Sequence, residues 1–344
     1  MFDSGNLPAQ QSNRGHAACC VSAVARKRSH ERFYNCSCWW LLFELLLCAT
    51  CGAQEFPLRK LPQLTYVVDY EASWSPDGRQ IVLISSRHGG MKVHILEANS
   101  DANGSDMRQI TSGPNEDDSP AWSPDGRKIA FVSVHGDVSD IFVMNADGSN
   151  IRQVTRGLGQ NIHPMWSPDG SRILFNTTHF GEAAPSADKT LDQKRVIGEK
   201  QDDSIDLATI HPDSSDLQAI TQGGGYTYSS FSPDGKSILH RRQQGEVSQI
   251  FVMNSDGSGD HNLSGSSQLD GWPAWSPDGS RIVFSRHVQN GFQIFVMNRD
   301  GTGVRQLTDA AGEFVNPRWS PDGTRILCGR RLGGISLVVF QAPK

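Results

Sequence analysis

The chain has 344 residues, a formal net charge of -5 at pH 7 and 20% charged side chains. That balance supplies no basic footprint for a phosphate backbone, which excludes nucleic acid as a partner class. Length alone allows two domains, but from about residue 60 onward one repeated unit fills the chain and leaves no room for a second core.

Residues 1–53 differ in kind from the rest. Basic residues at Arg26, Lys27, Arg28 and Arg32 precede an apolar run from Trp39 to Leu47, interrupted by Glu44 and followed by small residues. This is the order of a secretory signal, with cleavage expected after Ala53, and the run is short for a membrane span. Membrane association is expected only through an uncleaved leader. Six of the seven cysteines fall in this region. The exported chain then keeps Cys328 alone and forms no internal disulfide. The expected location is periplasmic or secreted, and the expected state is a monomer.

Residues 54–344 are an array. A large aromatic followed by Ser-Pro-Asp-Gly begins at Trp74, Trp122, Trp166, Phe231, Trp275 and Trp319, with steps between the serines of 48, 44, 65, 44 and 44 residues. Periods of this length belong to propeller blades. Pro presets φ at the first corner of a turn, Asp tolerates the second, and Gly supplies positive φ to close a hairpin. A short run before each aromatic and a β-rich run after it, such as Lys128 to Ser133, make two antiparallel strands. A third run, Asp140 to Asn145, is apolar on both faces, as expected for a sheet covered on both sides. A second turn, Asn145-Ala146-Asp147-Gly148, leads to a fourth strand at Ile151 to Thr155. The long step places an insertion at about residues 181–203, between the second and third strands of the third blade.

The ends carry topological information. Leu61-Pro62-Gln63-Leu64-Thr65 matches Val304-Arg305-Gln306-Leu307-Thr308, a fourth strand, yet precedes the first Trp. The final repeat ends with its third strand, Ile335 to Phe340. An N-terminal strand that completes the last blade resolves both facts and predicts a ring-closed, six-bladed, all-β propeller of four-stranded blades.

The blade pattern Trp-Ser-Pro-Asp-Gly, Ile-Phe-Val-Met-Asn-x-Asp-Gly and Arg-Gln-Leu-Thr resembles the TolB-type (WD40-like, PD40) propeller repeat over essentially all of residues 60–344. The resemblance implies a periplasmic propeller that binds envelope proteins. TolB proper carries an α/β domain ahead of its propeller, where this chain has a leader. Similar repeats occur in peptidase propellers and oligogalacturonate lyases, so fold does not decide function.

Candidate site residues lie just before each aromatic, where the innermost strand starts at a channel mouth. Three positions before it stand Glu71, Ser119, His163, Tyr228, Trp272 and Asn316. Asp69, Asp117, Asp118, Asp270 and Glu313 lie slightly further out. This acidic, aromatic ring suits a cation, a basic peptide segment, or a sugar stacked on Trp272 or Tyr228. His88, His135, His179 and His287, in the loops after the second strands, are candidate ligands for a divalent cation. No Gly-x-Ser-x-Gly elbow, phosphate-binding loop or dinucleotide fingerprint is present. The sequence therefore points to a scaffold that binds an envelope or extracellular protein or a glycan. Its alternative is a metal-dependent polysaccharide lyase of the oligogalacturonate type.

Overall fold

A computed structural model describes residues 59–60, 68–100, 106–180 and 205–343. The expected leader, the Leu61 to Thr65 match and the insertion at about 181–203 lie outside these described residues.

β1 is Arg59–Lys60. The first blade comprises β2 (Asp69–Trp74), β3 (Gln80–Ser85), β4 (Lys92–Glu97) and β5 (Arg108–Gln109), and the second β6 (Glu116–Trp122), β7 (Lys128–His135), β8 (Val138–Asn145) and β9 (Arg152–Gln153). The third holds β10 (Asn161–Trp166), β11 (Ile173–Thr177), β12 (Asp206–Ile210) and β13 (Gln218–Ala219), and the fourth β14 (Tyr226–Phe231), β15 (Ser237–Gln244), β16 (Val247–Asn254) and β17 (His261–Asn262). The fifth holds β18 (Asp270–Trp275), β19 (Arg281–Val288), β20 (Gly291–Asn298) and β21 (Arg305–Gln306). The sixth has β22 (Glu313–Trp319), β23 (Arg325–Arg331) and β24 (Ile335–Gln341), with β1 as its outermost member. The first five sheets are antiparallel meanders and the sixth is the meander β22 to β24 with β1 antiparallel on its outer edge, so the six-bladed expectation holds.

The Ser-Pro-Asp-Gly turns are built alike. Ser75 Oγ donates to Asp77 Oδ1 at 2.6 Å and accepts the amide of Gln80 at 2.9 Å, while Gly78, at φ 70°, donates its amide to the Ser75 carbonyl at 2.8 Å. The hydroxyl residue after the short fourth strand in the first five blades, Thr111, Thr155, Thr221, Ser264 and Thr308, has a separate task. Thr308 Oγ1 accepts the amide of Ile294 at 2.9 Å and donates to Gln293 at 2.7 Å, pinning the end of β21 to β20.

Cores form between blades rather than within them. Ile84 and Val93 of the first blade pack with Phe131 and Met144 of the second. Ala72, Trp74 and Leu83 of the first pack with Leu327, Leu337 and Val339 of the sixth. Arg325 stacks over the Trp74 ring at 4.5 Å across that same seam. Fully buried Phe175, Phe284, Phe314 and Phe340 anchor other interfaces, each contributing about 1.5–3 kcal/mol through burial.

At the last blade, Arg59 pairs with Val339 and Lys60 with Val338. In the fifth blade Arg305 pairs with Val296, the residue before Met297, just as Val339 precedes Phe340. Arg59 thus takes the register place of Arg305, whereas the sequence match would have put Pro62 there.

Candidate functional site

Every innermost strand breaks register at the same place. In β2 the break falls between Tyr70 and Ser73, and in β22 between Val315 and Arg318. Six non-glycine residues there adopt left-handed backbone: Glu71 (φ 48°), Ser119 (48°), His163 (51°), Tyr228 (51°), Trp272 (52°) and Asn316 (53°). Each costs about 1–2 kcal/mol in a conformation that L-residues avoid. The bulge redirects the strand at this level. These are the positions three before each aromatic.

The ring borders an axial cavity of about 310 Å³. Glu71, Ser119, His163 and Tyr228 are on its wall, which continues along Trp74, Trp122, Trp275 and Trp319 to exposed Pro76, Pro233 and Pro277. The cavity therefore lies toward the ends of the inner strands, at the Ser-Pro-Asp-Gly turns, and not at the mouth where those strands begin.

The acids at the starting mouth are already engaged. Arg87 Nη2 lies 2.7 Å from Asp69, and Arg286 donates to both oxygens of Asp270 at 2.7 and 2.9 Å. Lys92 Nζ is 3.8 Å from buried Asp117, and Arg331 Nη1 is 3.4 Å from Glu313. These four join first and second strands or neighbouring blades, and do not form an open acidic ring. Trp272 is 2% exposed, edge-on to Phe292 at 5.3 Å and 5.5 Å from Tyr228. It offers no face to a sugar. Asn316 and Trp272 border a narrow neighbouring space instead.

Electrostatics distinguish the remaining residues. Burial pushes the Asp118 carboxyl up to about 7, and the nearby Glu71 charge adds to the push, while the Ser119 amide and Tyr70 hydroxyl hold it as an acceptor. Burial also raises Glu71, outweighing the pull of Arg318 and the hydrogen bond from Asn316. His163 is driven down to about 3, first by burial and then by the positive Arg318 and Arg241, so its imidazole is neutral. Tyr228 rises to about 12 through burial and the Glu71 charge. His163 and Tyr228 stack at 4.2 Å.

Arg318, on the cavity wall, escaped the sequence reading. A signal existed: its position, one before the aromatic, is Ser73, Ala121, Met165, Ser230 and Ala274 in the other repeats. A guanidinium there breaks a run of small or neutral residues.

The four loop histidines do not converge. His88 pairs with His94 at 3.0 Å, and His135, His179 and His287 pack on Phe142, Phe180 and Phe292 of their own blades. Among the described residues no group of three or more His, Cys, Asp or Glu could hold a metal ion. These histidines do not fit a shared cation.

A six-bladed ring of four-stranded antiparallel blades, with strained inner bulges around an axial cavity, defines the β-propeller class. The family profile described as TolB beta propeller domain (PD40) matches residues 101–185. A TolB from Agrobacterium tumefaciens is similar in structure at 23% identity and TM-score 0.59, covering 81% of this chain and 91% of that one. An oligogalacturonate lyase in complex with manganese aligns at 13% identity and TM-score 0.54, over 84% and 98%. A gluconolactonase from Xanthomonas campestris aligns at 15% identity and TM-score 0.60, over 84% and 90%. No curated protein matches the chain by sequence. The protein is a six-bladed β-propeller, similar in part of its sequence and in fold to TolB propellers.

Proposed function

We propose that this protein is an exported binding propeller of the cell envelope, which recognises a protein or glycan partner through the axial cavity. The observation that carries the reading is the cavity itself: about 310 Å³, walled by tryptophans and prolines, with Glu71, His163 and Tyr228 toward its floor. Concave, largely apolar spaces with a few convergent polar groups are the usual form of a binding site. The TolB-type repeat supports a protein partner and a periplasmic location, and the leader composition supports export. No helix among the described residues is long and apolar enough to cross a membrane.

The lyase alternative draws support from fold likeness alone, since the histidines that motivated it stand apart on separate blades. A divalent cation belongs to that alternative, and elemental analysis of the purified protein addresses it directly.

The binding reading is tested by filling the cavity. Ser230→Trp places an indole on the cavity wall. Tagged wild type should capture a specific envelope protein or glycan from the source organism, and folded Ser230→Trp should lose it. Equal capture by both overturns the cavity as the binding site.

A further inference from the structure

Glu71 and Arg318 are the charged side chains on the wall of the axial cavity. They stand on β2 and β22, the inner strands of adjacent blades. No ion pair within 4.0 Å joins them. Glu71 accepts a hydrogen bond from Asn316, and Arg318 donates Nη1 to the carbonyl of Pro317 at 3.0 Å. Each feels the other's charge without contact.

The remaining ionisable groups nearby are occupied or neutral. Asp118 is held by Ser119 and Tyr70 and lies off the cavity wall. Arg241 faces an adjoining space beside Asp270 and Trp272. His163 and Tyr228 carry no charge near neutrality. What is left is one carboxyl and one guanidinium, both half-buried, in a cavity otherwise lined by neutral side chains.

We propose that the axial cavity binds a small zwitterion, its ammonium beside Glu71, its carboxylate beside Arg318 and an apolar body against the tryptophan and proline wall. The inference rests on the axial cavity being the ligand site. The physical reason is desolvation: a ligand that closes the cavity removes water from both charges, and each then needs an opposite charge. A ligand with only one charge leaves the other protein group buried and unpaired. The tryptophan wall suits an apolar or aromatic side chain.

The test uses the full chain and three probes that share one ring: L-phenylalanine, L-phenylalaninamide, which lacks the carboxylate, and 3-phenylpropionate, which lacks the ammonium. Calorimetric titration at pH 7 should find phenylalanine bound at least about tenfold more tightly than either analogue. Glu71→Gln should make phenylalanine and 3-phenylpropionate equal, and Arg318→Met should make phenylalanine and its amide equal. Where a variant fails to fold, the comparison on wild type decides alone. Binding of all three probes within about twofold, or of none, overturns the zwitterion. If phenylalanine does not bind but Ser230→Trp abolishes capture of the envelope partner, the zwitterion falls and the cavity reading stands. If Ser230→Trp leaves capture intact as well, both fall.

Discussion

Pro321 of the last blade lies beside Gly78 of the first, where a Cβ on Gly78 would sit in ordinary contact, 3.7 Å from Pro321 Cδ. The same contact recurs around the ring, from Gly126 on Pro76 through Gly170 on Pro124, Gly235 on Pro168 and Gly279 on Pro233 to Gly323 on Pro277. Each turn glycine therefore has two tasks, closing its own hairpin and seating the preceding blade's proline. The seam between last and first blades uses the contact that serves elsewhere.

The second set of turns is tighter still. A Cβ on Gly257, at φ 86°, would fall 2.3 Å from the carbonyl oxygen of Ile220 in the preceding blade. Gly136, at φ 62°, has nothing within 4 Å. Gly136→Ala should cost only the left-handed penalty, about 1–2 kcal/mol. Gly257→Ala adds a backbone overlap and should cost about 2 kcal/mol more. Urea unfolding of both variants checks the difference, and equal losses would show that the interface yields.

Strand β1 offers a separate test of ring closure. Deleting residues 54–65 removes the backbone pairing of Arg59 and Lys60 with Val338 and Val339. The loss leaves the outer edge of β24 open. We expect one cooperative transition, lowered by about 3 °C for a cost of about 2 kcal/mol in a domain of this size. An unchanged melting temperature contradicts the proposed closure by this strand.

Much of this architecture was legible because turn chemistry and apolar periodicity are local. Ser-Pro-Asp-Gly and Asn-x-Asp-Gly announced their hairpins, and the fully apolar Ile-Phe-Val-Met runs announced stacked sheets. Positions three before each aromatic stood out because they did not repeat, but nothing in the sequence marked their left-handed backbone. Their surroundings were not legible. Asp69 and Asp270 looked like mouth ligands until the register placed Arg87 and Arg286 against them. The N-terminal register also slipped, because Gln-Leu-Thr at 63–65 copies the fourth-strand signature while Arg59 and Lys60 make the described pairs.

Trp272 illustrates the same limit and gives a prediction. Phe292, Tyr228 and Val315 enclose its indole, which makes it part of the core. Trp272→Ala should destabilise the protein by about 3–5 kcal/mol. Tyr228→Phe, which keeps the ring stack and removes only the hydroxyl, should leave stability within about 1 kcal/mol. Thermal or chemical unfolding distinguishes them, and a mild Trp272→Ala phenotype would restore it as a candidate binding surface.

Acid and neutral pH should act on different carboxyls, with opposite signs. The hydroxyls of Ser276 and Ser280 and the Ser280 amide hold Asp278 down at about 2, and Asp169 and Asp322 are held at about 2 by the same turn. A depressed folded value means stability present above the unfolded carboxyl range and lost as pH falls from about 4 toward 2. Asp118 runs the other way. Its folded value of about 7 exceeds the unfolded one, so its contribution is fully present below about pH 4 and is lost as pH rises from about 4 to 7. Asp118→Asn keeps an acceptor for the Ser119 amide and removes the charge. Relative to wild type it should gain stability on the order of 4 kcal/mol at pH 8, and the gain should vanish by about pH 4. Unfolding curves for both proteins across this range check the sign. A loss of stability at pH 8 that fades toward acid would mean that Asp118 is ionised and stabilising in the folded ring.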